Sequence, residues 1–170
     1  MSILRLSHVE LRTPDLELST AYYTEVLGLI ETARESDRVF FKAWDEHQHH
    51  SFVLTFAPTH GLNHLGFKVT DASDLDVYAA RLADAGVDVV RTAAGEWGPG
   101  HGDSLRFELP SGHSIELVHG MEQVGNSLPL TNPPPRPMDL VGIAPPRIDH
   151  AFLTAEDVGG TTDFLVDVLG

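Results

Sequence analysis

The sequence predicts an α+β fold assembled from paired β-α-β-β-β units, and three observations carry that reading. A histidine stands third in each of three alternating, strand-like runs: Leu6-Ser7-His8-Val9-Glu10-Leu11, Leu62-Asn63-His64-Leu65-Gly66-Phe67 and Ile148-Asp149-His150-Ala151-Phe152-Leu153. The first and third runs are followed by helical patterns ending in Val-Leu-Gly, and both His8–Gly28 and His150–Gly170 span twenty residues. The fifty-six residues from His8 to His64 set the repeat length. A unit of this kind cannot bury its sheet face alone, so a repeat implies that the copies pack together.

The elements follow in order. Residues 3–13 alternate, with Ile3, Ser7, Val9 and Leu11 on one face and Leu4, Leu6, His8 and Glu10 on the other, the period of a strand. Thr13-Pro14-Asp15 suits a helix start, with Thr13 as cap and Pro14 in the first turn. Leu16, Ala21, Tyr22, Val26 and Leu27 recur at helical spacing until Gly28, and Tyr22 and Tyr23 are expected in the core. Strands are expected over 29–35, 38–44 and 51–57. The second unit repeats the order: a strand over 62–70, a helix over 71–85 stopped by Gly86, then strands over 87–92, 104–109 and 114–119. Pro110-Ser111-Gly112 makes the last turn. Residues 1–120 thus form one domain of two units, 1–58 and 61–120. Residues 121–146 contain Pro129, Pro133-Pro134-Pro135, Pro137 and Pro145-Pro146, the composition of a stiff interdomain linker. Residues 147–170 are expected to open a third unit, with a strand over 147–153 and a helix over 154–169.

Composition narrows the function. Eleven basic against twenty-five acidic residues give a formal charge of −14, which argues against nucleic acid or an anionic membrane as partner. There is no cysteine, so disulfides, thiolate metal sites and a cysteine nucleophile are excluded. No signal-like N-terminus and no membrane-length apolar run is visible, and a cytoplasmic protein is expected.

Strand alternation decides which side chains can meet. Leu65, Phe67 and Val69 form the face that packs on helices, so His64 points the opposite way. Ile115 and Leu117 likewise set Glu116 on the other face. If the two units face each other around a curved sheet, His8, His64 and Glu116 project into one interior. Two imidazoles and one carboxylate are the ligand set of non-haem Fe(II) oxygenases, and Glu10 is the candidate to orient an imidazole. A hydrogen-bonded polar cavity would use the same residues. Gly98-Pro99-Gly100-His101-Gly102 reads as a flexible turn, with a loop near the cavity mouth as the alternative, and His47-Gln48-His49-His50 as a solvated hairpin loop open to adventitious metal binding.

Several stretches together resemble a known family. His8-Val9-Glu10-Leu11-Arg12, Tyr22-Tyr23-Thr24-Glu25-Val26-Leu27-Gly28-Leu29 and Arg38-Val39-Phe40-Phe41-Lys42-Ala43-Trp44 are similar to the N-terminal domain of type I extradiol ring-cleaving dioxygenases, the catechol 2,3-dioxygenase group of the vicinal oxygen chelate superfamily. Gly66-Phe67-Lys68-Val69, Pro110-Ser111-Gly112-His113-Ser114-Ile115-Glu116-Leu117 and Arg147-Ile148-Asp149-His150 extend the resemblance along the chain. It implies cup-like, incompletely closed mixed sheets, one per domain, and a metal in the C-terminal domain. Fe(II) is the expected cofactor, with Mn(II) as the alternative. Of that metal's ligands only the first, His150, has a counterpart here. The resemblance also puts a functional histidine of the C-terminal domain at the position His101 occupies in this unit.

The resemblance therefore implies a parent enzyme that opens a catechol-type ring with O2, a small aromatic diol being the substrate and a homo-oligomer the expected assembly. The 170-residue chain itself is expected to be an inactive fragment with no catalytic residue of its own. Two alternatives stand beside it. One is a non-catalytic structural domain, and the other is a stand-alone metal enzyme of the superfamily using His8, His64 and Glu116.

Overall fold

The structure is a computed structural model and describes residues 2–170. Its first unit runs β1 (Ile3–Thr13), α1 (Leu16–Ala21), β2 (Ile30–Arg34), β3 (Arg38–Lys42) and β4 (Phe52–Phe56). The second runs β5 (Gly61–Val69), α2 (Ala72–Asp84), β6 (Val90–Thr92), β7 (Asp103–Glu108) and β8 (Ser114–His119). One eight-stranded mixed sheet joins them in the order β2-β3-β4-β1-β5-β8-β7-β6. Each unit is the mirror of the other in that order. β1 pairs parallel with β4, β5 pairs parallel with β8, and β1 and β5 meet antiparallel at the centre. The sheet does not close on itself, as predicted.

The helices explain which face is apolar. In α2, Leu75, Tyr78 and Leu82 recur at helical spacing and are buried against Leu65, Val69, Leu105, Phe107, Ile115 and Leu117. Residues of alternate parity on β5 and β8 are thereby left for the other face. A smaller core under α1 gathers Val39, Phe41 and Leu54, with Tyr23 packed against it. The Asp15 carboxylate accepts from the Leu18 N–H (2.9 Å) and caps α1. Thr13 is not the cap expected from the sequence, because its hydroxyl is engaged with Asp15 and with the Ser19 hydroxyl.

Four expectations are corrected here. Tyr22 is half exposed rather than buried, because the helix passes from α1 into a π turn over Tyr22–Val26 and the phase of its apolar stripe shifts. Leu6 joins the helix-packing core with Val9 although strict alternation puts it beside His8; the pairing with β5 shifts register between Leu6 and His8, and a bulge there resets the faces. Residues 147–153 form no strand ladder, since no described strand pairs with them. The third helix starts later than expected, as α3 (Val158–Phe164) capped by Asp157, and continues as a π turn over Leu165–Leu169. The recurrence of a π turn before both Gly28 and Gly170 is the repeat written in backbone geometry.

The proline-rich segment is tied down at its ends. Val124 N–H donates to the His47 carbonyl, and Ile143 and Ala144 N–H donate to the carbonyls of Val26 and Leu27. Beyond it, the backbone N–H of Ile148 donates to Glu46 (2.9 Å), and α3 with its π turn lies over α2 and the apolar sheet face. A cavity of about 560 Å3 remains between them, lined by Ile3, Leu6, Phe67, His150 and Leu165 among others. Among the described residues no helix is long and apolar enough to cross a membrane.

Candidate functional site

The face of the sheet away from α2 holds the polar centre. His8 on β1, His64 on β5 and Glu116 on β8 are each wholly buried. Their approach follows from register. His8 pairs with Gly66, Gly66 pairs with Glu116, and His64 stands two residues before Gly66 on the same face. His8 Nε2 lies 2.9 Å from His64 Nε2 and 3.2 Å from Glu116 Oε2, and His64 Nε2 lies 3.5 Å from the same oxygen. These three ligand-type atoms form one compact triangle.

Surrounding groups hold each member. Glu10, the cross-strand neighbour of His64, places Oε2 2.8 Å from His64 Nδ1, off the line of a straight hydrogen bond. The Glu10 carboxylate also accepts from the Asn63 amide (2.6 Å) and from the Thr55 hydroxyl. Glu116 Oε1 accepts from Ser104 Oγ (2.9 Å) and Arg106 Nη2 (3.1 Å), while Oε2 faces His101 Nε2 at 3.0 Å. The other ring nitrogen of His101 donates to the Gly102 carbonyl (2.9 Å). Among the described residues His8 Nδ1 has no hydrogen-bond partner, so packing and the contacts at Nε2 position that ring.

The electrostatics follow from burial. Desolvation lowers the His8 pKa from 6.5 to about 4, against the pull of Glu116. Desolvation also holds His50 well below its ordinary value. Burial would raise Glu116, but hydrogen bonds from His101, His64 and His8 outweigh it and keep the carboxylate ionised. For His64 burial is outweighed in the opposite sense, and Glu10 with Glu116 raises its pKa. Without a metal, the pull on His64 is thus towards its protonated form and the pull on Glu116 towards its ionised one.

Two loops expected to be solvent-exposed turns reach this centre instead. His101 is buried (3% exposed), because its loop folds over the sheet and Gly102 packs where a Cβ would strike the carbonyls of His119 and Gly120. Gln48, His49 and His50 are buried too. The Gln48 amide donates to the carbonyls of Ser7 and His50, and His49 N–H donates to the Glu122 carbonyl, which pulls the loop onto β1 and the 121–125 segment. The His50 ring stacks on His101 with centroids 6.1 Å apart. Trp97, absent from the residues singled out by sequence, roofs the cluster with centroids 4.6 Å from His101 and 5.6 Å from His64. Its only signal was a bulky aromatic inside a glycine-rich turn. His150 lies elsewhere. Its side chain is 85% exposed and contacts Asp149 Oδ2 at 3.2 Å, and it joins no ligand set among the described residues.

Comparison with known proteins agrees with this architecture. A family profile described as the catechol 2,3-dioxygenase-like N-terminal domain matches residues 62–121. Metapyrocatechase of Pseudomonas sp. (strain CF600) is 38% identical over 170 residues, which is 99% of this chain and 55% of that protein. The manganese-dependent 2,3-dihydroxybiphenyl 1,2-dioxygenase of Geobacillus genomosp. 3 is 31% identical over 99% of this chain and 54% of its own. The crystal structure of the 2,3-dioxygenase LapB from Pseudomonas sp. KL28 superposes with a TM-score of 0.92 at 38% identity, covering 100% of this chain and 59% of that one. The chain spans about half the length of the curated relatives it matches. By sequence and by fold, the chain is similar to catechol 2,3-dioxygenase-like proteins, and its residues 62–121 match the profile of their N-terminal domain.

Proposed function

We propose that this chain is the N-terminal portion of an extradiol dioxygenase that opens a catechol-type ring with O2. The observation that carries the reading is the 38% identity along the whole chain to a metapyrocatechase. On this reading residues 1–120 are a two-unit supporting domain, 121–146 connect, and 147–170 begin the domain that performs the chemistry. His150 is its first metal ligand. The metal is Fe(II) or Mn(II), the latter in keeping with the name of one relative.

The residues of this chain do not by themselves fit that metal. His150 is an exposed imidazole, and Asp149, its polar neighbour among the described residues, is exposed too. An isolated pair of exposed donors leaves the ion mostly to water. The supporting role is where the chain's own structure is informative: the His150 segment and the π turn after α3 line an apolar cavity on the face of the β1–β5–β8 sheet that packs α2, away from the buried histidine cluster. The expected setting is cytoplasmic, with a homo-oligomer as the working form.

The test is ring cleavage. The open reading frame that contains these residues is expressed and loaded anaerobically with Fe(II) or Mn(II), and catechol consumption is followed by the yellow ring-opened product and by O2 uptake. Activity that disappears in His150→Ala supports the reading. An active enzyme indifferent to that substitution, or full-length protein inactive with every catechol tried, overturns it.

A further inference from the structure

We propose that His8 Nε2, His64 Nε2 and Glu116 Oε2 form a second, buried site for a divalent first-row transition metal, separate from the ring-cleavage centre. The inference goes beyond the proposed activity and does not depend on it.

Geometry is the first argument. With bonds of about 2.0–2.1 Å, neighbouring ligands around a tetrahedral or octahedral ion lie roughly 2.9–3.4 Å apart. The three atoms here are separated by 2.9, 3.2 and 3.5 Å. They come from β1, β5 and β8, rigid strands at the centre of the sheet, which is where a preorganised site is best held.

Proton accounting is the second. In the metal-bound form His64 is neutral, with its ring proton on Nδ1 facing the Glu10 carboxylate and its Nε2 lone pair turned to the triangle. Glu116 Oε2 is an acceptor. His8 can supply one proton at Nε2, and that proton satisfies one of its two neighbours at a time. Three electron-pair donors thus converge on a point where neutral rings provide a single hydrogen. A cation at that point satisfies all three.

The surroundings are the third argument. Metal-bound imidazoles characteristically donate their second nitrogen to a carboxylate or carbonyl, and Glu10 is so placed for His64. Ser104 and Arg106 occupy Glu116 Oε1 and leave Oε2 to face the ion, with His101 Nε2 3.0 Å from that oxygen and the proton of a neutral His101 held at Nδ1 by the Gly102 carbonyl. Arg106 Nη2 is the fixed positive charge nearest the triangle, 3.4 Å from His64 Nε2, and it is offset by the two carboxylates of Glu10 and Glu116. Beside the triangle, His50 Nε2 is a buried ring nitrogen with no partner. Two imidazoles with one carboxylate select manganese, iron, cobalt, nickel, copper or zinc over magnesium and calcium, which prefer oxygen alone. Trp97 roofs the centre at 5.7 Å from His8 and 5.6 Å from His64. A metal enclosed in this way pins three strands and the 93–102 loop together, which is a structural role.

The experiment uses the 170-residue chain, stripped with EDTA and titrated with Co(II), then with Zn(II) in competition. One tight equivalent is expected, with a visible Co(II) d–d spectrum that Zn(II) abolishes and a rise of several degrees in the unfolding midpoint. His64→Gln and His8→Gln should each weaken binding by more than about a hundredfold, while His150→Ala and His47→Ala leave it unchanged. Binding that survives both ligand substitutions is adventitious and overturns the proposal. Should the ligand variants fail to fold, crystals of the unaltered chain soaked in Co(II) decide it. An anomalous peak bonded to His8 Nε2, His64 Nε2 and Glu116 Oε2 supports the site, and its absence at millimolar Co(II) overturns it. None of these readouts involves catechol, so failure here and failure of ring cleavage are distinguishable.

Discussion

His8 and Glu116 belong to strands that are not neighbours, yet His8 Nε2 lies 3.2 Å from Glu116 Oε2. The strand between them carries Gly66 at their shared register. A Cβ built on Gly66 would fall within the His8 ring, so the missing side chain is what lets the two groups meet across β5. Gly66→Ala should therefore displace the His8 ring into a packed interior. Overpacking of this kind costs about 1–3 kcal/mol. Urea unfolding should show that loss, and the His8–Glu116 contact should be gone from a crystal structure of the variant.

Burial of neutral histidines makes the metal-free domain acid-labile. His8 keeps a pKa of about 4 in the folded chain against 6.5 when unfolded. The unfolded state thus binds the proton first, and stability present above pH 6.5 is lost as the pH falls towards 4. The shift corresponds to about 3 kcal/mol for this one wholly buried ring. His50 is lowered for the same reason and adds to the loss. His64 is shifted the other way and offsets part of it. Urea midpoints measured in EDTA at pH 7.5 and pH 5 should fall with pH, and His50→Gln should make the fall shallower.

The strand and helix order was legible because period two and period 3.6 alternate cleanly in residues 3–119, and the facing of Leu65, Ile115 and Leu117 followed directly. The same alternation put His64 and Glu116 on one interior face and offered Glu10 to orient an imidazole, while only the β1–β5 register shows that the imidazole is that of His64. What it missed lies in the loops. Local composition made His47–His50 and Gly98–Gly102 look solvated, whereas Gln48, His49 N–H and the packing of Gly102 draw both loops over the site by contacts distant in sequence. Residues 147–153 show the converse: alternation alone does not make a strand when no partner ladder is present.

His150 separates stability from function. With its side chain 85% exposed and its polar contact among the described residues made to the exposed Asp149, His150→Ala in this chain should change stability by no more than about 0.5 kcal/mol. Leu82→Ala, by contrast, empties a fully buried position under the sheet and should cost about 2–5 kcal/mol. Thermal unfolding of the two variants side by side checks the contrast. A marked destabilisation by His150→Ala would mean that this segment is held through its histidine.

Glu10 governs the charge at the centre through His64. Its carboxylate accepts from Asn63 and Thr55 and stands 2.8 Å from His64 Nδ1. Glu10→Gln keeps the shape but supplies one acceptor oxygen and turns an NH2 towards a donor, leaving a buried group unpaired at a cost of about 1–3 kcal/mol. It also removes the carboxylate that does most to raise His64 against its burial. In the unaltered protein the raised pKa of His64 contributes stability that is present below the unfolded value of 6.5 and is lost as the pH rises through the folded one. In Glu10→Gln that contribution should vanish, and the His64 ring resonance, followed by NMR in EDTA, should titrate at lower pH than in the unaltered chain. An unchanged His64 titration would mean that Glu116 alone sets its charge.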